Sequence, residues 1–357
     1  MFDNLISTLE EKERNRTLGT FDFKQVFNAP WHSEYEDMVR VGTRLITYHA
    51  FTQLCKKLAY DLNKPVTPRY IWAHPEAISA MPQTHVQSQI VAFEKRDNLT
   101  KQNNIVLNIH KAIVDGAITE VITGVLSTNY CGISNLQVLT EFLDAVNFQE
   151  LTIKDFDVVF DSEDFCDTMI LTVIFEEFRD RGNYYGAGVQ IRNSQNGKMG
   201  LTVSPIMKAT VCNNSIIHMS TRYHKHLVGV DSFYTESLME LKTLIDTAVT
   251  LFTNTLVLKD IPLEDDEVSD KMLLFILSKF KLAAKLLPTF RAGVSSEHDE
   301  ISVYSVVAAI TYLATQIDDH LASFNLSKFA SYLTELVVLD RSAQGSEYVF
   351  NIENYLE

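Results

Sequence analysis

The stretch YGAGVQIRNSQNGKMGLTVSPIMKATVC, residues 185 to 212, decides the fold class. Two runs of alternating apolar and polar residues flank a loop from Asn193 to Gly200 rich in Asn, Ser and Gly, the pattern of two strands joined as a hairpin. Toward the N-terminus the same character recurs in IVLNIH (105–110), ITEVITGVLS (118–127), DFDVVFD (155–161) and TMILTVIFEEF (168–178). Only NLQVLTEFLDAV (135–146) interrupts it, with the three-to-four spacing of a helix. Toward the C-terminus the period changes after Asp231. Leu238, Leu241, Ile245, Ala248, Phe252 and Leu256 fall on one helical face, with Asp231 or Ser232 as cap and the acidic run DIPLEDDEVSD (260–270) beyond it. Ser269 opens a helix expected to reach Leu287 before Pro288, and Ser302 and Ser327 are expected to open two more. Upstream, residues 1–16 are amphipathic and precede Gly19, residues 34–63 predict a helix with one buried side, and 67–104 hold several prolines and no clean period.

Strands gathered in the middle and helices at the end predict an α+β protein rather than an alternating α/β one. The expected divisions are a partly helical region 1–103, a β-rich core 104–230 and a helical region 231–357. With 357 residues, 46% hydrophobic, 22% charged and only 8 Pro, the composition is that of a globular chain and excludes fibrous or disordered classes. Four scattered cysteines, Cys55, Cys131, Cys166 and Cys212, form no CxxC pair, which fits a reducing cytoplasm better than a disulfide framework. The N-terminal MFDNLISTLEEKERNR has neither a basic nor an apolar leader region, and the longest apolar stretch, around Val303 to Ala314, is too short for a bilayer, so no membrane partner is expected.

The formal charge of −15 would oppose a polyanionic partner if it were evenly spread. It is not evenly spread. From Arg181 to Val230 there is no Asp or Glu, while Arg181, Arg192, Lys198, Lys208, Arg222 and Lys225 are present, so the total divides into +6 in this window and −21 elsewhere. Tyr184, Tyr185 and Tyr223 are interleaved with these cations. Cations release counterions from a phosphate backbone, and aromatic rings stack on unpaired bases. The same residues in solvated strand edges and a tyrosine core give an identical pattern, and that alternative stays open. A second basic feature is the face formed by Lys271, Lys279, Lys281 and Lys285, opposite Met272, Ile276, Phe280 and Leu287. The tail SEYVFNIENYLE (346–357) mixes acids and aromatics, as a partner-recruiting arm or a packed segment would.

Catalytic signatures are missing. Gly197-Lys198 lacks the rest of a P-loop, Gly186-Ala187-Gly188 lacks the third glycine of a dinucleotide fingerprint, and no HExxH or GxSxG occurs. Cys212, His218, His224 and His226 are the residue types zinc accepts, but their spacing fits no standard finger. No enzyme, cofactor or metal is therefore expected.

Two segments carry a resemblance. GVLSTNYCGISNLQVL (124–139) and GVQIRNSQNGKMGLTVSPIMKATVCNNSII (188–217) resemble motifs of the phage/plasmid-like proteins of unknown function found in phages, prophages and conjugative plasmids. SVYSVVAAITYLATQIDDH (302–320) is similar to that family's closing helix, apart from Ala308 or Ala309, where the family usually has Asn. The matching positions are Leu126, Ser127, Tyr130, Asn135, Asn193, Ser194, Gly197, Cys212 and Asn213, several of them turn-forming types. The resemblance spans about 105–320 and implies a mobile-element protein in a bacterial cytoplasm, with no activity to transfer.

These readings converge on a non-catalytic protein that binds single-stranded DNA or RNA. Arg181, Arg192, Lys198, Lys208, Arg222 and Lys225 are expected on phosphates and Tyr184, Tyr185 and Tyr223 on bases. The alternative is an interaction protein that binds a host or phage polymerase, or a defence factor, through its acidic surface and tail. Either reading leaves room for a homo-oligomer.

Overall fold

The computed structural model describes residues 2–22, 31–33, 38–57, 104–130, 132–162, 165–180, 183–209, 215–218, 221–224, 236–264, 267–295, 301–317, 320–345 and 348–355. Two six-stranded sheets and a helical layer make up an α+β fold.

The first sheet holds β1 (Arg16–Asp22), β2 (Trp31–Ser33), β3 (Met38–Val41), β4 (Arg44–Thr47), β5 (Asn104–Val114) and β6 (Ala117–Leu126) in the order β1-β5-β6-β4-β3-β2. All its pairings are antiparallel except β4 on β6. β5 and β6 are joined through Asp115 and Gly116, whose φ values of 51° and 78° are those of a two-residue hairpin turn. The second sheet runs β11-β10-β9-β8-β7, with β12 also on β10. Its strands are β7 (Asp155–Phe160), β8 (Thr168–Asp180), β9 (Asn183–Ser194), β10 (Leu201–Ala209), β11 (Ser215–Ile217) and β12 (Arg222–His224). The hairpin read from residues 185 to 212 is β9 and β10, paired from Tyr185↔Ala209 to Arg192↔Thr202.

Alternation along these strands makes two unlike faces. Leu171, Val173, Val189, Ile191, Leu201 and Val203 pack against α1 (Asp3–Arg14), α3 (Asn135–Phe148) and the start of α4 (Leu241–Lys259). Farther along the same face, Tyr185, Met207 and Ala209 join the core of the helical layer. That layer comprises the rest of α4 with α5 (Asp270–Lys279), α6 (Leu287–Ser295), α7 (Val303–Thr315) and α8 (His320–Gln344). The opposite face is buried but polar, carrying Thr168, Thr172, Gln190, Arg192, Thr202 and Ser204, with Ile174, Ile206 and Ile217 gathered around Phe324 of α8.

Several expectations change. Residues 34–63 are not one helix: β3 and β4 form a hairpin, and among the described residues of this segment α2 (Tyr48–Lys57) is the helical part. The apolar positions of this segment suit both periods, and the Gly42-Thr43 turn with pairing onto β6 selects the strand. The amphipathic N-terminal stretch is α1, and Gly19 beyond it lies inside β1 opposite Leu107. The helix opened by Ser269 stops at Lys279, Lys281 has φ 55°, and Pro288 stands in the first turn of α6, where its missing N–H costs nothing. Ser302 caps α7 in a capping box with Ser305, whereas Ser327 is interior to α8. β1 and β4 share a sheet with β5 and β6, so the boundary expected at 103/104 falls within that sheet. The proline-rich stretch read as irregular lies outside the described residues over 58–103.

Among the described residues α4, not the shorter α7, is the helix long and apolar enough to cross a bilayer. Its apolar surface serves the core instead: Leu241, Leu244, Ile245, Ala248, Leu251, Phe252 and Leu258 are buried in the two main clusters.

Candidate functional site

The densest polar constellation lies between the two sheets. A β-bulge shifts the β5 to β6 register between Asn108 and Ile109, and Thr123 of β6 turns its hydroxyl to accept from Asn108 Nδ2 at 3.0 Å. Asn108 Nδ2 also donates to Asp167 Oδ1 at 2.8 Å, and His110 Nε2 donates to the same oxygen at 2.9 Å. Arg16 of β1 completes the row by donating from Nε to Asn108 Oδ1 at 2.7 Å. Three strands of the first sheet therefore converge on one carboxylate at the start of β8. Burial by itself would raise the Asp167 carboxyl. Hydrogen bonds and charge from His110, with further bonds from Thr123 and Asn108, outweigh it and hold the group below the usual carboxylate range.

The row continues through the motif residues. Asn135, at the start of α3, donates to the carbonyls of Cys166 and Asp167, and its Oδ1 accepts from Asn193 Nδ2 at 2.7 Å. Asn193 Nδ2 also reaches the Ile133 carbonyl. Tyr130 donates to the Ser194 carbonyl at 2.8 Å, and Ser194 Oγ donates to Asn196 Oδ1 at 2.7 Å. The Asn196 carbonyl accepts from Gln53 Nε2 at 2.8 Å and from His49 Nε2 at 3.3 Å, joining α2 to the β9–β10 loop. Burial, with the nearby Lys198 charge, lowers the His49 pKa and so keeps the ring neutral. Gly124 lets the two sheets approach here, since a Cβ on it would come within 3.0 Å of the Asn196 backbone. Five of the nine resemblance positions, the buried Leu126, Asn135, Asn193 and Ser194 and the half-buried Tyr130, thus lie at one junction, and a Cβ on Gly197 would meet Leu126. Cys212 and Asn213 lie outside the described residues.

His110 and Asp167 are 3% and 2% exposed, and their bond ties the two sheets together. Asp167 Oδ2, Asn193 Oδ1, Gln195 Oε1, Thr202 Oγ1 and Arg16 Nη2 are buried without a hydrogen-bond partner among the described residues.

The predicted basic window does not form one open surface among the described residues. Tyr185 is buried, with its ring beside Phe252 and its hydroxyl accepting from Lys259 Nζ at 2.8 Å, so neither face is open to a base. Arg192 is buried too, donating to Gln190 Oε1 at 2.7 Å and lying over the Phe324 ring. Lys198 pairs with Asp161 at 2.8 Å and Lys208 with Asp157 at 3.5 Å, so acids from outside the window neutralise both. Tyr184 is the exception, 51% exposed near the tip of the β8–β9 hairpin, with the Arg179 guanidinium 5.1 Å from its ring centre. Arg222 and Tyr223 stand in β12 opposite Val203 and Thr202 in register; Arg181 and Lys225 lie outside the described residues. Arg179 escaped the sequence reading because Asp180 separates it from the acid-free window.

Of the zinc-type residues, His218 instead pairs with Glu335 of α8 at 2.8 Å, which holds the Glu335 carboxyl below its ordinary range. Among the described residues no group of three or more His, Cys, Asp or Glu could hold a metal ion. The described part of the tail, 348–355, packs on the helical layer: Ile352 and Tyr355 are buried, and Tyr355 donates to Asp340 Oδ2 at 2.8 Å. Comparison of the chain with protein-family models, with curated proteins and with solved structures finds no match.

Proposed function

We propose that this chain binds single-stranded nucleic acid without catalysis, as a phage-type protein of the host cytoplasm serving replication, recombination or phage transcription. The mobile-element setting comes from the motif resemblance over about residues 105–320, and the chemistry from one observation: Tyr184 is exposed beside Arg179 where the acid-free segment begins. A cation beside an open ring holds a phosphate next to a stacked base. Tyr185 and Arg192 drop out of the contact set because they are buried, while Lys198 and Lys208 remain in it by exchanging Asp161 and Asp157 for phosphate. Arg181, Arg222, Tyr223 and Lys225 stay in the set.

Fluorescence anisotropy with labelled single-stranded DNA, RNA and duplex at several salt concentrations tests the proposal. Single strands bind best, with a log–log salt slope of about −0.7 per phosphate neutralised. Tyr184→Ala weakens binding by about 1–3 kcal/mol, the worth of one stacked base, and leaves the circular dichroism unchanged. Equal affinity for duplex, or no binding at low salt, overturns it.

A second reading, an interaction protein for a host or phage polymerase, draws on a different observation. An apolar groove between α5 and residues 350–352 is lined by Leu274, Phe275 and Phe350, and Phe275 is 51% exposed. Co-sedimentation with purified polymerase that is lost in Phe275→Asp supports this reading, and unaltered sedimentation of both components rejects it.

A further inference from the structure

Residues 325–332 of α8 place Asn325, Lys328, Phe329 and Tyr332 at i, i+3, i+4 and i+7, one stripe of a helix. The end of α5 meets that stripe with Lys279 and Phe280, enclosing an open cleft of about 400 Å³ with Tyr355 also on its wall. Such a volume lies within the range of about 300–1,000 Å³ usual for small-molecule sites. None of the described lining residues is acidic, in a chain whose net charge is −15. We propose that this cleft is a nucleotide site, taking one base and its phosphate from a single-stranded nucleic acid.

Each part of that ligand has a counterpart. Tyr332, 39% exposed, offers a ring face to the base, and Phe280 and Phe329, with ring centres 5.2 Å apart, form the apolar wall behind it. The Asn325 side chain supplies both a donor and an acceptor, the pair needed for a base edge. Lys279 and Lys328 supply positive charge for the phosphate. Lys328 Nζ is held 5.7 Å from the Phe324 ring centre, and Arg192 lies over the same ring at 4.5 Å. Lys328 and Arg192 thus share the Phe324 ring, which packs with Ile174 and Ile206 of the second sheet. Partial burial lowers the Lys328 pKa by stripping water from its ammonium, and a phosphate replaces that lost solvation.

The inference rests on the single-strand reading and locates a second contact for it. The test is photocrosslinking of the full chain to an oligonucleotide containing 5-iododeoxyuridine, with peptide mapping, beside saturation-transfer NMR with thymidine monophosphate. Crosslinks at Phe280 or Tyr332 are expected. Tyr332→Leu is expected to weaken strand binding about 5- to 150-fold, the equivalent of a stacking loss of about 1–3 kcal/mol. Lys328→Gln is expected to make the salt slope shallower by about 0.7. Lys279→Gln, at an exposed position, serves the same purpose if either α8 variant lowers the melting temperature. Crosslinks confined to the Tyr184 hairpin, with Lys328→Gln and Lys279→Gln unchanged, overturn the cleft and leave the single-strand reading standing. Saturation transfer from the mononucleotide with no strand binding overturns that reading and, with it, the assignment of the cleft to a strand. Absence of both signals overturns both.

Discussion

Asp167 keeps a carboxylate where only 2% of the residue meets solvent, so its hydrogen bonds decide whether the charge stabilises or destabilises the fold. Asp167→Asn keeps the shape but replaces charge-assisted bonds from His110 and Asn108 with neutral ones. The expected cost is about 1.5–3 kcal/mol, read from urea unfolding. The pH dependence has a definite sign. The folded pKa is depressed, so the contribution of Asp167 is full above its unfolded value of about 4 and is lost as pH falls below that. His49 is also depressed, so its neutral form favours folding above about pH 6.5 and its contribution fades below. His49→Gln retains an Nε2 donor for the Asn196 carbonyl and cannot titrate. The wild-type stability should therefore fall relative to this variant between pH 7.5 and about pH 5.5, and parallel pH curves for the two proteins would refute the assignment. The motif residues were legible as points in the sequence, but their meeting was not. Tyr130 reaches Ser194 across 64 positions and His110 reaches Asp167 across 57, separations that no local pattern encodes.

Elements were legible where a local device fixes them. Ser269 and Ser302 are helix caps in sequence and in structure, because a hydroxyl just before an apolar run has free N–H groups to accept from. Ser327 offers the same letter in the same setting, yet α8 already runs through it. Substitution separates the two roles. Ser302→Ala is expected to cost about 1 kcal/mol by removing the capping box of α7. Ser327→Ala is expected to be neutral, or to stabilise by up to about 0.5 kcal/mol, through the higher helix propensity of alanine. A loss at Ser327 as large as that at Ser302, in thermal or urea unfolding, would show that a helix starts there after all. The β3–β4 hairpin was misread for the converse reason. Its apolar residues match two periods, and the choice is made by a parallel pairing of Leu45 and Ile46 with Val121 and Ile122, far away in sequence. The lysines of 271–285 were read as one helical face, but α5 ends at Lys279, which places that lysine at the cleft with α8.

At the scale of the molecule, the window of +6 charge is partly neutralised, because Asp157 of β7 and Asp161 just after it pair with Lys208 and Lys198. Composition along the chain therefore locates the cations but not their partners. The same lesson applies to the domain boundary. Residues 1–103 look separable by composition, yet β1 pairs with β5 along seven positions from Arg16↔His110 to Asp22↔Asn104, and β4 pairs with β6 on the other side. Arg16 also holds the Asn108 that in turn holds Asp167, so an N-terminal strand supports one of the contacts by which β5 reaches the second sheet. A chain beginning at residue 104 would keep β5 and β6 only as a two-stranded ribbon, with both outer edges stripped and buried Asn108 lacking its guanidinium donor. An isolated ribbon of that kind is marginal in water. Expressed alone, residues 104–357 are expected to lose near-UV circular dichroism and bind a hydrophobic dye, the signs of a collapsed chain without fixed packing. Slow amide exchange across β5 in this fragment, together with one sharp unfolding transition, would instead show that the first sheet does not depend on its N-terminal strands.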